Sequence, residues 1–316
     1  MDAASTSRAH PFRFEALLEA VLHMAPQTDF ATVQLVSSSK PLREIFSLAE
    51  DERTMKYPRT YIRIDIEVIG QTVFLNRWFS NPAAATRMTL PGCGRGFEKQ
   101  CTRAVVGYED CMTHHRIDCI RLAGMTCLLQ YEVDAFIHTE PASNVVLCPT
   151  SGQRPLQSSP INVSALSVCK LGNAVAAKNL VEIKSRSKSN GMSPDVLLNL
   201  WLTGVSQLFL GWHEASNDHR RRTFAEEDFG LHDMTLAVAE WEEANKAVIG
   251  KFFSILKELY QKALHAASLS KGQGDKLFAL VYDRDERSFT LRRRLGDRHA
   301  LPAGMEKLFQ VEVQDC

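Results

Sequence analysis

Apolar residues recur at helical spacing over residues 12–25, where Phe14, Leu17, Leu18, Val21 and Leu22 make one stripe and Pro26 ends the run, so the segment predicts a helix with one buried face. Between 29 and 51 the pattern predicts a short strand at 32–36 and a helix at 41–48. The cleanest period of two lies in 61–69; Gly70-Gln71 turns the chain and 72–78 returns, which reads as a β-hairpin. A helix is expected at 97–106, strands at 125–137 and 179–185, and a helix at 165–176 between those strands. Val196, Leu197, Leu200 and Trp201 predict a helix over 195–204, which leads into a buried strand at 206–213. The longest helical pattern, 236–267, carries Leu236, Trp241, Val248, Phe252, Ile255, Leu256 and Leu259 as its expected core stripe. A second hairpin, 276–282 with 288–294, and a short helix at 302–309 close the chain.

Strands interleaved with helices place the chain in the α/β (α+β) class, with a mixed central sheet flanked by helices. Residues 1–11 are small and polar and are expected to be disordered; 12–316 are expected to form a single α/β domain with its core at about 60–265. Pro141, Pro149, Pro155 and Pro160 among many serines mark 139–162 as a flexible insertion, and 276–310 is the C-terminal hairpin and helix.

Of the 316 residues, 45% are hydrophobic and 23% charged, which argues for a folded core. Lys+Arg and Asp+Glu balance at 37 each, so a protein that coats nucleic acid is disfavoured, while one that grips a strand end in a local groove is not. The eight cysteines show no C-x-x-C spacing and are expected to be reduced thiols. Glu15 and Glu19 interrupt the first apolar run, which makes it a poor signal peptide, and no run is long enough to span a bilayer. A nuclear or cytoplasmic protein, not secreted and not membrane-bound, is expected.

Candidate chemistry sits on two strands. Alternation sends Glu132 and Asp134 to one face of the first, and Glu182 and Lys184 to one face of the second. A lone Glu-x-Lys is most simply a cross-strand ion pair. Three carboxylates and an amine among apolar neighbours are different, because buried charge needs compensation. Should the strands adjoin, hard oxygen ligands would converge on a divalent cation such as Mg²⁺ or Mn²⁺, with Lys184 beside its water. Arg186 and Lys188 follow directly and add positive charge. Arg95 and Glu98 lie at the start of a helix that follows a glycine-rich loop; the loop lacks the lysine of a P-loop. Adjacent His114 and His115 point to opposite sides and make a poor chelate, and Arg220-Arg221-Arg222 reads as a solvated charge run.

Arg95-Gly96-Phe97-Glu98, Tyr131-Glu132-Val133-Asp134, Val181-Glu182-Ile183-Lys184, and Leu200-Trp201 leading through Gly204 to Trp212-His213 together resemble the decapping exoribonuclease (DXO-like) family. A fungal group of that type is more similar still, through the hairpin around Val68–Phe74, the run from Glu182 to Arg186, and Trp241-Glu242. The resemblance covers about 60–265, its stricter motifs about 95–213. It implies a PD-(D/E)xK nuclease-like core and metal-dependent hydrolysis of RNA 5′ ends by decapping, pyrophosphate release or 5′–3′ exonuclease action. Carried over, Glu98, Asp134 and Glu182 are implied metal ligands for Mg²⁺ or Mn²⁺, Glu132 an additional acid and Lys184 the water-orienting base. The substrate would be the RNA 5′ end, capped or triphosphorylated, held by Arg95, Arg186 and Lys188. A glutamine the family carries on the following helix is matched only by Asn199 or Gly204, and its phosphate-holding arginine only by Arg63 or Arg77. Those departures keep open a second reading, an inactive nuclease fold serving as an RNA- or protein-binding scaffold. The two D-D-x-x-D helices of a prenyl diphosphate synthase are absent.

Overall fold

The computed structural model describes residues 2–5, 12–50, 61–78, 94–105, 109, 111, 113–138, 164, 166, 168, 174–189, 191–214, 223–269, 276–283, 288–296 and 298–310. The expected insertion at 139–162, most of the helix expected at 165–176 and the arginine run at 220–222 lie outside them.

The order along the chain is β1 (Asp2–Ser5), α1 (Glu15–Met24), β2 (Leu35–Ser38), α2 (Ser39–Ala49), β3 (Tyr61–Ile69), β4 (Thr72–Arg77), α3 (Gly94–Cys101), β5 (Thr113–Leu122), β6 (Met125–Glu132) and β7 (Ala135–Phe136). It continues with β8 (Leu180–Ser187), α4 (Pro194–Thr203), β9 (Gln207–His213), β10 (Phe229–Asp233), α5 (Thr235–Ala244), α6 (Lys246–Ser268), β11 (Leu277–Asp283) and β12 (Ser288–Arg293). Among the described residues these strands form an eight-stranded sheet, β1-β5-β6-β2-β4-β3-β11-β12, and a four-stranded one, β10-β9-β8-β7. β2 runs parallel to β4 and β6, and β8 parallel to β9; the other pairings are antiparallel. The expected mixed α/β architecture is present.

Alternation decides what each face meets. Ile62, Ile64 and Ile66 of β3 and Phe278 and Leu280 of β11 point into the principal core, which α2, α4 and α6 cover and to which Leu180, Leu208 and Leu210 of the small sheet also contribute. On the opposite face of the large sheet, Val36, Phe74, Ile117 and Leu128 pack against α1 and the C-terminal turn Met305–Phe309. Gly70, at φ +59°, makes the β3–β4 turn, and a Cβ there would collide with the Phe309 carbonyl.

Several expectations are corrected. Residues 2–5, expected to be disordered, pair as β1 along β5, whose outer backbone groups need partners. β5 itself was not legible, because only Ile117 and Leu122 of its residues are buried and no clean alternation results. The strand expected at 32–36 lies at Leu35–Ser38, and the helix expected at 97–106 runs over Gly94–Cys101. The long helix is broken at Asn245, whose side-chain amide donates to the Trp241 carbonyl at 2.8 Å. Leu236, expected in the core stripe, is 78% exposed, because α5 meets the core through Ala237, Val238 and Trp241 instead. The closing helix is a 3-10 turn, Met305–Phe309, and β10 had no counterpart in the sequence pattern. Among the described residues no helix is long and apolar enough to cross a membrane.

Candidate active site

The strand expected over 125–137 divides in two. β6 ends at Glu132 in the large sheet, and the chain crosses through Val133 and Asp134 to β7, which pairs with β8 in the small sheet. Asp134 therefore sits between the sheets. Its Oδ2 accepts the Ile183 amide at 2.8 Å and lies 3.4 Å from Lys184 Nζ. Lys184 Nζ also donates to the Ile183 carbonyl at 3.0 Å and pairs with Glu182 Oε1. Glu182 is only 7% exposed, and its other oxygen accepts Asn199 Nδ2 of α4 at 3.1 Å. Asn199 Oδ1 in turn faces Arg43 Nη1 of α2 at 3.5 Å.

β8 presents Glu182, Lys184 and Arg186 on one face, as its period of two requires, and their register partners Leu208, Leu210 and Trp212 are apolar. Ile183 on the other face joins Val181 and Phe97. Phe97 anchors α3 by lying 4.6 Å from the Phe224 ring and 5.8 Å from that of Phe209, over Gly211, where a Cβ would come within 2.6 Å of Phe97 Cε2. This seat brings the next residue, Glu98, to the cluster.

Burial raises the pKa of Glu98 and Glu132 above the usual carboxylate range, and the Asp134 charge raises them further, against the pull of Lys184 and Arg95. Glu182 is raised for the same reasons, burial first, with Asp134 adding to it while Lys184 and Arg43 oppose. Burial would lower Lys184, yet Glu182 and Asp134 together outweigh it and hold the ammonium above its ordinary value. Burial is thus the first cause of the three raised glutamates, with the Asp134 charge adding to it, whereas Lys184 is raised by its two carboxylate partners against burial.

Arg186 is half-buried, its Nε is buried without a hydrogen-bond partner, and Arg95 is exposed on α3. Lys188 is not drawn in; it pairs with Asp228 at 2.8 Å and Glu214 at 3.2 Å. Arg63 is also elsewhere, bonded to Asp65 at 3.0 Å and lying 4.9 Å over the Trp78 ring. Arg43 was missed by sequence reasoning, since a polar position on an amphipathic helix carries no mark of what it will face. Gly204 is a left-handed helix cap, which leaves Asn199 as the amide at this site.

Among the described residues no group of three or more His, Cys, Asp or Glu side chains is arranged to hold a metal ion. Lys184 supplies the positive charge between Asp134 and Glu182. The donor chemistry nonetheless fits a hard divalent cation: carboxylates in surplus, partly desolvated, with raised proton affinity.

Residues 1–307 match the family described as "Domain of unknown function (DUF8563)". The chain belongs to this family. No curated protein matches it. Among solved structures, Rai1 of Scheffersomyces stipitis is similar with a TM-score of 0.55 at 13% identity, over 92% of this chain and 76% of that one. The same protein in complex with (3′-NADP)⁺ and calcium gives 0.54 at 12%, over 92% and 78%. Candida albicans Rai1 in complex with pU5 and Mn²⁺ gives 0.54 at 10%, over 93% and 80%. This member of the family has the Rai1 fold, as the motif resemblance implied.

Proposed function

We propose that the chain is a divalent-metal-dependent hydrolase of RNA 5′ ends, of the decapping, pyrophosphohydrolase or 5′–3′ exoribonuclease type. The observation that carries this reading is the meeting of Asp134, from the crossover between the sheets, with Glu182 and Lys184 of β8 in a partly buried cluster of carboxylates. The Rai1 complexes with pU5 and Mn²⁺ and with (3′-NADP)⁺ and calcium, which share the fold, support it.

Asp134 and Glu182, with Glu98, would hold Mg²⁺ or Mn²⁺. When bound, the cation supplies Lewis-acid stabilisation of charge developing on phosphate. Asn199 fixes the rotamer of Glu182 through its amide, and Ile183 N–H fixes Asp134. Lys184, protonated at neutral pH, orients the attacking water by donating hydrogen bonds. Glu132, at the rim with a raised pKa, is placed to hand a proton to the leaving group. Arg186, half-buried on the face of β8 that carries Glu182 and Lys184, would donate to a phosphate oxygen, and Arg95 and Arg43 add positive charge. A nuclear or cytoplasmic location goes with this reading.

The alternative, a nuclease fold kept as a scaffold, draws on the lysine already lodged between two of the proposed ligands. Incubation of purified protein with Mn²⁺ and 5′-triphosphate, 5′-monophosphate or NAD-capped RNA separates the two. Turnover of at least one substrate is expected; inertness towards all three, with no Mn²⁺ binding lost on mutating Asp134, favours the scaffold.

A further inference from the structure

At the far edge of the large sheet, β3, β11 and β12 form an open cleft of about 490 Å³ lined by Arg63, Arg292, Arg293 and Arg294, with Asp283 the acidic residue in its wall. None of its lining residues belongs to the carboxylate cluster. Asp65, Ala279 and Arg292 form one row across the three strands, and Arg63 and Val281 the next, so the floor is the small apolar side chains of β11 and the walls are guanidinium groups. This face is turned away from the principal core, where Ile62, Ile64, Phe278 and Leu280 lie.

Part of this arginine chemistry is structural. Asp65 accepts Arg63 Nε at 3.0 Å and Arg294 Nη1 at 2.9 Å, which ties β3 to the segment after β12, and Arg294 Nη2 donates to the Arg298 carbonyl. The network has donors left over. Arg294 has a side chain only 8% exposed, yet its Nε is buried without a partner. Arg292 is exposed and donates to the Thr290 hydroxyl at 3.1 Å, a contact that cancels no charge. One carboxylate shared between two arginines leaves that triad positive, and Arg292 adds to it on the same face, against Asp283 in the wall. Planar donor forks around a small apolar floor suit the tetrahedral oxygens of a phosphate, and the volume is in the range that small ligands occupy.

We infer that this cleft is a second anion site, separate from the Asp134–Glu182–Lys184 cluster, and that it binds phosphate groups, either of a free polyphosphate or of a nucleic-acid backbone. The inference does not rest on hydrolysis at that cluster. Calorimetric titration of the full chain in EDTA with inorganic pyrophosphate, and separately with an oligouridylate lacking a 5′ phosphate, tests it. The wild type is expected to bind at least one probe, and the R292Q variant, changed only at an exposed position on the cleft face, to bind it about tenfold more weakly or worse. A loss confined to pyrophosphate identifies a free polyphosphate; a loss that includes the oligouridylate identifies a nucleic-acid backbone. E182Q is expected to bind as the wild type does, so failure of the hydrolase reading and failure of this one give different results. No binding by the wild type, equal binding by R292Q, or binding abolished by E182Q alone overturns the inference.

Discussion

Lys184 Nζ stands 3.4 Å from Asp134 Oδ2, the same oxygen that accepts the Ile183 amide at 2.8 Å. One carboxylate thus does two things, pinning the crossover between sheets to β8 and facing the ammonium. The two separate by mutation. Asp134→Asn keeps an oxygen for the Ile183 amide and is expected to leave the thermal midpoint within a few degrees, while hydrolysis falls about 100-fold or more and Mn²⁺ affinity drops. Asp134→Ala loses the acceptor as well and is expected to cost a further ~1–3 kcal/mol of stability, read by denaturant unfolding. Wild-type turnover in Asp134→Asn would refute the site.

The raised carboxylates make stability depend on pH with a definite sign. Glu98, Glu132 and Glu182 bind protons more tightly folded than unfolded. Their contribution is therefore full below the ordinary carboxylate value of about 4.3 and is lost as pH rises through their raised folded values. Lys184, raised by Glu182 and Asp134 against burial, contributes stability that persists through neutrality and is lost only as pH rises through its own folded value. Glu98→Gln is expected to melt higher than wild type at pH 7, with the difference closing towards pH 4. Mn²⁺ is expected to raise the wild-type midpoint at pH 7 and to raise that of Glu98→Gln less. Melting curves across pH 4–8, with and without Mn²⁺, measure both; a lower midpoint for Glu98→Gln at pH 7 contradicts the electrostatic account.

Glu182 and Lys184 were legible because a period of two is local: whatever sheet β8 joins, those side chains share a face. The same rule placed Glu132 and Asp134 on one strand and missed the crossover. A break between sheets leaves the local pattern unchanged and is decided by pairing with β8, which lies almost fifty residues on. The hairpin of β3 and β4 was legible for having one buried face and a tight turn, whereas β5, with few buried positions, was not. Asn199 carried only a weak alignment signal and Arg43 none, since both act through contacts between helices and strands remote in sequence.

Asn199 is expected to act through Glu182. Its amide gives the buried carboxylate one of its hydrogen bonds, and losing a hydrogen bond to a charged group is worth ~1.5–3 kcal/mol. Asn199→Ala should lower kcat about tenfold with little change in KM, because the carboxylate is freed to move while substrate contacts remain. Asn199→Asp is expected to be worse, placing a second charge beside Glu182 and raising its pKa further. Steady-state kinetics of the two variants decide this: equal activity in both would mean that the 3.1 Å contact does not position Glu182.

Gly211 on β9 is where the aromatic seat of α3 leaves no room. A Cβ at this position would come within 2.6 Å of Phe97 Cε2 and 3.1 Å of Phe224 Cε1, and Phe97 is itself buried. Gly211→Ala must push the Phe97 ring outward, and overpacking of this kind costs ~1–3 kcal/mol. Phe97 immediately precedes Glu98, so the displacement passes directly to a proposed ligand. Gly211→Ala is expected to lower both stability and Mn²⁺ affinity, although it touches neither the carboxylates nor the substrate. Adding Phe97→Leu, which shortens the obstructing side chain, is expected to recover stability but not metal affinity, since the smaller residue no longer fixes α3. Recovery of both would show that the height of Glu98 over the small sheet is set by something other than this ring.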